Sequence, residues 1–318
     1  MGKRVIVVGG SGFIGQHVVR HLALAGAEVT VIDLYKPKSD IRNAIWISGT
    51  AADEMLLASV TACADTVIFL ANNSVPGSAD VDLANEVRTH VGMAVKSAEI
   101  CAAQGVKRFL FASSGGTVYG SDSNLLLTEE APTLPRNAYG VSKLAIEHYL
   151  RILGDLREMT TLSLRISNPY GEGQTVNRNQ GFIAAAMQHS ISGEVLPIWG
   201  DGTVERDFIH ISDVADAFVK AASYSSSSTV INIGSGKSNS LLEVLKLVEA
   251  AVGREVPVTF GKGRSIDVKK NTLDISRAAE LLAWRPSIKL SEGLARTADW
   301  WRGECDDRSL AIGNDKNF

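Results

Sequence analysis

Tyr139 and Lys143 stand four residues apart in Tyr-Gly-Val-Ser-Lys, a spacing that puts both side chains on one face of a helix. A phenol beside an ammonium is a candidate proton-transfer centre, because the cation favours the ionised phenol. Bringing a phenol from pKa ~10 to ~7 requires roughly 4 kcal/mol, at about 1.36 kcal/mol per unit. One unit charge at ~5 Å, with an effective dielectric of ~20, supplies roughly 3 kcal/mol of this. A second positive charge would have to supply the rest.

A second motif suggests its source. The run Gly9-Gly10-Ser11-Gly12-Phe13-Ile14-Gly15 follows an apolar stretch at 3–8 that reads as a buried strand, and it opens a helical pattern at 13–25. Another strand pattern, Glu28-Val29-Thr30-Val31-Ile32, ends at Asp33. In this order Gly9 permits the tight turn, Gly12 lets the backbone approach a pyrophosphate, and Gly15 lets helix and strand pack closely. The helix N-terminus at Phe13 and Ile14 offers free N–H groups and partial positive charge to phosphates. Asp33, 18 positions after Gly15, stands where a carboxylate accepts hydrogen bonds from an adenosine ribose. It would repel a 2′-phosphate, so the expected dinucleotide is NAD, whose oxidised nicotinamide carries the second charge.

Short apolar strands near 3–8, 28–33, 45–48, 66–70, 107–113 and 160–166 alternate with helical stretches near 13–25, 53–61, 80–104 and 138–153. That alternation predicts an α/β chain of Rossmann type, with a doubly wound parallel sheet. Tyr139 and Lys143 open the last of those helices. The strand before it ends in Ser113-Ser114-Gly115-Gly116-Thr117-Val118-Tyr119-Gly120, so both segments fall beyond the carboxyl ends of the strands, where open α/β sheets bind ligands. After Asn168 the pattern turns to loops rich in Gly, Pro and Trp. The expected division is an NAD-binding domain over 1–167 with returning elements near 206–234, an interleaved substrate-binding lobe at 168–205 and 235–302, and a frayed polar tail at 303–318.

Composition narrows the function classes. The 318 residues are 45% hydrophobic and 21% charged, ordinary for a globular enzyme. A net charge of −3, with no Lys/Arg cluster, argues against nucleic acid. The first strand begins near residue 3, leaving no room for a leader, and no apolar run approaches 18 residues, so the expectation is a cytoplasmic chain that does not enter a membrane. Cys63, Cys101 and Cys305 form no Cys-x-x-Cys pair, and His17 and His21 lack the Glu that a zinc helix would carry at position 18, so no metal site is expected.

Taken together, the chain over roughly 3–302 resembles the extended short-chain dehydrogenases/reductases, in the branch of NAD-dependent nucleotide-sugar epimerases and dehydratases, closest to the UDP-glucose 4-epimerases. The resemblance rests on Gly9-x-x-Gly12-x-x-Gly15, Tyr139-x-x-x-Lys143, Arg165-Ile166-Ser167-Asn168-Pro169-Tyr170-Gly171, Gly200-Asp201-Gly202, Arg206-Asp207-Phe208-Ile209-His210 and Arg264-x-x-Asp267. It implies that Tyr139 takes the proton of the sugar 4-hydroxyl as hydride leaves C4, and that Lys143 assists it and binds the nicotinamide ribose. It also implies that Asn168, Arg206 and Arg264 hold the diphosphate of a UDP-sugar and Asp267 the uridine ribose. Asn271, where related epimerases often carry Tyr, would leave room for a 2-acetamido group. Related proteins dimerise through the two helices equivalent to 80–104 and 138–153. Here these carry Val91, Ala94, Ala98 and Ile100, and Leu144, Ile146 and Leu150, so a homodimer is expected.

The chain departs from the family at several points. The usual Ser or Thr four residues before Tyr119 is Gly115; Ser114 or Thr117 could supply the hydroxyl at the reacting oxygen instead, with Thr117 favoured. Gly116-Thr117 replaces the Asp-Glu pair with which a 4,6-dehydratase eliminates water, which favours 4-epimerisation. Thr50, Phe69 and His90 replace the usual Asp, His and Asn near the cofactor.

Overall fold

The computed structural model describes residues 2–37, 41–72, 74, 79–120, 125–176, 181–263 and 268–314. The first half of the chain runs β1 (Arg4–Val8), α1 (Phe13–Leu24), β2 (Glu28–Asp33), β3 (Ala44–Ser48), α2 (Glu54–Thr61) and β4 (Thr66–Phe69). It continues with α3 (Leu83–Glu86), a π-helical turn (Val87–Val91), α4 (Gly92–Ala103), β5 (Arg108–Ser114), α5 (Ala138–Arg157) and β6 (Thr160–Ile166). The second half contains β7 (Asn168–Tyr170), α6 (Phe182–Ser192), β8 (Leu196–Trp199), β9 (Glu205–His210), α7 (Ile211–Ala221) and β10 (Thr229–Ile233). It ends with β11 (Ser238–Ser240), α8 (Leu241–Val252), β12 (Val258–Gly261), β13 (Lys270–Asn271), α9 (Ser276–Leu282) and α10 (Leu290–Asn314). The helix at 83–103 is thus broken by a wider turn where the apolar pattern reads as one piece. The terminal helix continues to Asn314, where the composition predicts fraying.

Seven strands form one parallel sheet in the order β10-β6-β5-β4-β1-β2-β3. The chain winds outward from β1 in both directions, so β1 and β4 flank the switch point, where a crevice opens at their carboxyl ends. Period two along β1 sorts its side chains between two cores. Val5 and Val7 face α1, α7 and α9, while Ile6 and Val8 face α2, α4 and α5. Ala278, Leu282 and Trp284, from late in the chain, complete the first of these cores.

The remaining elements gather beside the carboxyl edge. β7 and β13 run parallel to β9, β11 runs antiparallel to it, and β8 pairs with β12. Ile183, Met187, Leu196, Phe208, Val248, Leu294 and Trp301 are buried together in a third core. Among the described residues, no helix is long and apolar enough to cross a membrane.

Candidate active site

The glycine loop is shaped by close approaches. Gly9 takes φ +86°, in the left-handed region, and a Cβ there would lie 2.6 Å from Ala71 N, just beyond β4. A Cβ on Gly15 would lie 2.4 Å from Gly9 O, so α1 starts directly against the loop. Gly12, the N-cap, is exposed, makes no side-chain cap, and has only Gly9 O within 4 Å of its missing Cβ, at 3.6 Å. The first-turn N–H groups are therefore approachable by a phosphate. The side chains of Phe13 and Ile14 pack against the sheet core.

Asp33 is held at the edge of this loop. Its Oδ2 accepts from Ser11 N at 2.9 Å and its Oδ1 from Tyr35 N at 3.3 Å, and a carboxylate has lone pairs left for a ribose diol. The donor set and cradle therefore fit an adenine dinucleotide. Phe69, by contrast, is fully buried and stacks on Phe109 with centroids 5.9 Å apart, and Thr50 Oγ1 accepts from Ala52 N at 3.3 Å within a turn.

Two caps fix the start of α5. Asn137 Oδ1 accepts from Gly140 N at 2.8 Å, and Asp80 Oδ1 accepts from Ala138 N at 2.7 Å, tying the helix to the loop that follows β4. Tyr139 and Lys143 then share one face. Lys143 Nζ lies 5.3 Å from the Tyr139 ring centroid, 4.7 Å from that of Phe111, and donates to Ala112 O at 2.9 Å.

The electrostatics differ from the sequence expectation. Burial pushes the Tyr139 phenol above its ordinary range, the Glu86 carboxylate adds to this, and the neighbouring Asn72 amide opposes both. Burial also pushes Lys143 down to about 7, against Glu86 and Glu147. Lys143 is not among the groups that lower the phenol because burial brings its own titration down to about 7, so it is neutral over the range in which the raised phenol ionises. Sequence reasoning could place the pair on one helical face, but not the third charge beside it.

The loop after β5 explains the missing hydroxyl. A Cβ on Gly115 would lie 2.6 Å from Leu273 Cδ1 and 3.0 Å from Arg165 O, so glycine is required by packing. Thr117 Oγ1 is buried with no partner among the described residues, and Thr117 O lies 2.8 Å from where a Gly140 Cβ would be, beside the first turn of α5. Ser114 Oγ and Asn168 Oδ1 flank Gly116, 4.0 and 3.7 Å from its missing Cβ.

Asn271 is buried under the same loop. Its Nδ2 donates to Gly115 O at 3.1 Å, while its Oδ1 has no partner among the described residues. Asn168 Nδ2 donates to Asp207 O at 2.9 Å. Arg206 Nη1 donates to Glu205 O at 2.9 Å and Val268 O at 2.6 Å. Arg264 and Asp267 lie outside the described residues. The sequence quotes Asp207 within a motif but gives it no role; its buried carboxylate accepts from Ser235 N and Oγ, each at 2.7 Å, from Gly236 N and from Leu273 N, and so joins the three segments around the site. Nor did it single out Glu86 or Asn72. Their only signal is that both are polar residues interrupting apolar patterns next to β4 and α4.

The helical residues read as interface candidates turn inward. Val91, Ala94, Ala98, Ile146 and Leu150 are buried on the sheet, Ile100 packs against the same core, and Leu144 packs on a cluster with Val118 and Tyr119. The outward apolar residues are instead Leu83, Val87, Val141, Tyr149, Ile152 and Leu156.

Comparison with known proteins agrees with this geometry. The model of the NAD dependent epimerase/dehydratase family matches residues 5–234. The chain is 30% identical to the UDP-glucose 4-epimerase of Mycolicibacterium smegmatis, over 95% of this chain and 99% of that one. It superposes on the Thermus thermophilus UDP-glucose 4-epimerase complex with NAD at TM-score 0.87 and 28% identity, covering 94% and 99% of the two chains. A UDP-N-acetylglucosamine 4-epimerase from Methanobrevibacter ruminantium, in complex with UDP-N-acetylmuramic acid, superposes at TM-score 0.89 and 26% identity, covering 95% and 99%.

Proposed function

The chain belongs to the NAD dependent epimerase/dehydratase family, and on that premise we propose that it is an NAD-dependent nucleotide-sugar 4-epimerase acting on a UDP-hexose or UDP-N-acetylhexosamine. The observation that carries this reading is the Tyr139–Lys143 pair at the carboxyl end of the sheet, beside a glycine loop and Asp33 that fit a dinucleotide. Bound at the glycine loop and Asp33, NAD would supply reversible hydride-transfer chemistry.

Residues 1–167 and the returning elements near 206–234 hold the cofactor, and 168–205 with 235–302 hold the sugar nucleotide. Gly9, Gly12, Phe13, Ile14 and Gly15 meet the pyrophosphate with backbone N–H groups, Asp33 meets the adenosine ribose, and Lys143 meets the nicotinamide ribose. Tyr139 takes the proton of the sugar 4-hydroxyl at its phenol oxygen and returns it to the 4-oxygen once the keto sugar has turned its other face to the hydride donor. Because burial raises the free phenol, its activation depends on positive charge gained when the site is loaded, with Lys143 as a part only. Thr117 supplies the hydroxyl absent at Gly115, with Ser114 the alternative.

Asn168, Arg206 and Arg264 bind the diphosphate, for which guanidinium forks give charge-assisted hydrogen bonds, and Asp267 binds the uridine ribose. The unpartnered Oδ1 of Asn271 suits the N–H of a 2-acetamido group, which favours a UDP-N-acetylhexosamine. The working form is a cytoplasmic homodimer, and the product feeds surface polysaccharide or lipopolysaccharide synthesis.

Incubation with a panel of UDP-hexoses, UDP-N-acetylhexosamines and their uronates, without added cofactor, tests this by NMR of the products. A C4-inverted sugar that is lost in Tyr139→Phe is the expected result. A stable keto sugar would move the assignment to a dehydratase of the same family.

A further inference from the structure

On the footing of the epimerase reading, we propose that Glu86 is a positioning residue of the proton-transfer site, linked through Ser74 to Asn72 beside the Tyr139 phenol and serving as the counter-charge of the buried Lys143 ammonium. Glu86 closes α3 and is only 6% exposed. Ser74 Oγ donates to its Oε1 at 2.9 Å, Asn72 Nδ2 donates to Ser74 O at 2.6 Å, and the Asn72 amide lies near enough to the Tyr139 phenol to favour its ionised form. Hydrogen bonds therefore link carboxylate, serine and amide from the end of α3 to the loop after β4, with the phenol of the first turn of α5 beside them. The same stretch, α3 and the π turn after it, packs on α5, which brings the carboxylate within electrostatic reach of both Tyr139 and Lys143.

The charges around Lys143 leave this role to Glu86. Lys143 is 3% exposed, and an ammonium at that depth is costly unless it is paired. The titratable groups facing it are Glu86 from α3, His90 from the π turn, and Tyr139 and Glu147 from its own helix. Glu147 is committed elsewhere, to Arg165 on β6, whose Nη2 lies 2.7 Å from its Oε2. His90 is buried with neither ring nitrogen partnered among the described residues, and burial together with Lys143 holds it down at about 3, so it is neutral near pH 7. Glu86 is then the carboxylate that balances Lys143, at the expense of opposing ionisation of Tyr139.

A glutamate that merely packed the loop would behave like its isosteric amide. Glu86→Gln keeps the acceptor for Ser74 and removes the charge, so the titration of Lys143 separates the two roles. It is read from the ε-methylene NMR signal of 13C-lysine, assigned by its loss in Lys143→Arg. The expected result is a Lys143 midpoint lowered by about one unit or more in Glu86→Gln, the size expected of a charge removed at close range in a medium of effective dielectric ~20. Glu86→Asp, which retains the charge, should lie near the wild-type value. In the NAD-loaded enzyme both limbs of the kcat–pH profile should move to lower pH, because the lost charge had favoured both the ammonium and the neutral phenol. An unmoved Lys143 midpoint would overturn the proposal, whatever happened to the rate. Glu86→Met is a second neutral variant should the amide fail to fold. The titration needs no sugar turnover, so it decides the role of Glu86 even if every sugar in the panel above proves inert.

Discussion

Arg165 and Glu147 form an ion pair sealed from solvent, Nη2 to Oε2 2.7 Å, one helical turn beyond Lys143. The pair fastens α5 to β6. Glu147 also accepts from Arg165 Nε and from Ser113 Oγ, and Arg165 Nη1 donates to Tyr119 Oη at 3.0 Å, so the charges are fully hydrogen-bonded. Removing one partner leaves the other charge buried and alone. Arg165→Met should therefore lower stability by about 3–5 kcal/mol, read as a denaturation midpoint shifted at constant m-value. Activity should fall further than stability requires, because Lys143 rides on the same helix. A loss under about 1 kcal/mol would mean that the pair is not desolvated.

The position where related enzymes place a hydroxyl offers a direct contrast between resemblance and packing. If the family pattern alone governed the site, Gly115→Ser would raise activity. The structure puts its Cβ against Leu273 Cδ1 and Arg165 O, so the expected result is overpacking that costs about 1–3 kcal/mol, with lower activity. Leu273→Ala in the same chain should relieve part of the loss. Thr117→Val should lower kcat with little change in KM, while Ser114→Ala should leave kcat nearly unchanged. The reverse pattern would transfer the role to Ser114.

Most of the sheet and half of the site could be read from the sequence, and the division between what could and could not be read has a physical basis. Strand alternation and the helix-spaced Tyr139 and Lys143 are local properties, so they survive translation into the fold, and within the stretch near 206–234 β10 pairs with β6 at the edge of the sheet. Charge environment is tertiary. Nothing in Tyr-Gly-Val-Ser-Lys reveals that Lys143 donates to Ala112 O or that Glu86 approaches from α3. Which faces of α4 and α5 turn outward is tertiary too, since a sheet buried on both sides demands as much apolar surface from a helix as a partner chain would. The requirement for glycine at 115 depends on Leu273, more than 150 residues away.

Glu172 ties the segment after β7 to β9 and α1, and this makes the fold sensitive to acid. Its Oε2 meets His210 Nε2 at 3.2 Å, and His17 Nε2 meets its backbone oxygen at 2.8 Å. Burial works against its ionisation, but the adjacent His210 ring and its own backbone outweigh this and hold the carboxyl at about 2, against an ordinary 4.5. A folded value below the unfolded one gives stability that is present above pH ~4.5 and is lost as pH falls through ~2, at most about 3 kcal/mol. Glu172→Gln should flatten the dependence of the urea midpoint on pH between ~5 and ~2.5. An unchanged slope would show that other carboxylates carry the acid sensitivity.

The outward face of α5 carries the prediction for assembly. Val141, Tyr149, Ile152 and Leu156 fall at i, i+8, i+11 and i+15, along one side of the helix, and Leu156 is 71% exposed. Leu83 and Val87, on the neighbouring α3 and π turn, extend the patch, since that segment packs on α5. A two-fold interface uses the same patch on both protomers, so each substitution counts twice. Covering a large apolar side chain contributes roughly 1.5–3 kcal/mol, and placing a charge there reverses the sign. The wild-type chain should therefore sediment as a dimer at micromolar concentration, and Tyr149→Asp combined with Leu156→Glu as a monomer with an intact fold. These positions lie on the helix face opposite Ile146 and Leu150, so NAD binding should survive the double substitution. A monomeric wild type would leave this face without a second copy to cover it and would remove the dimer from the proposal.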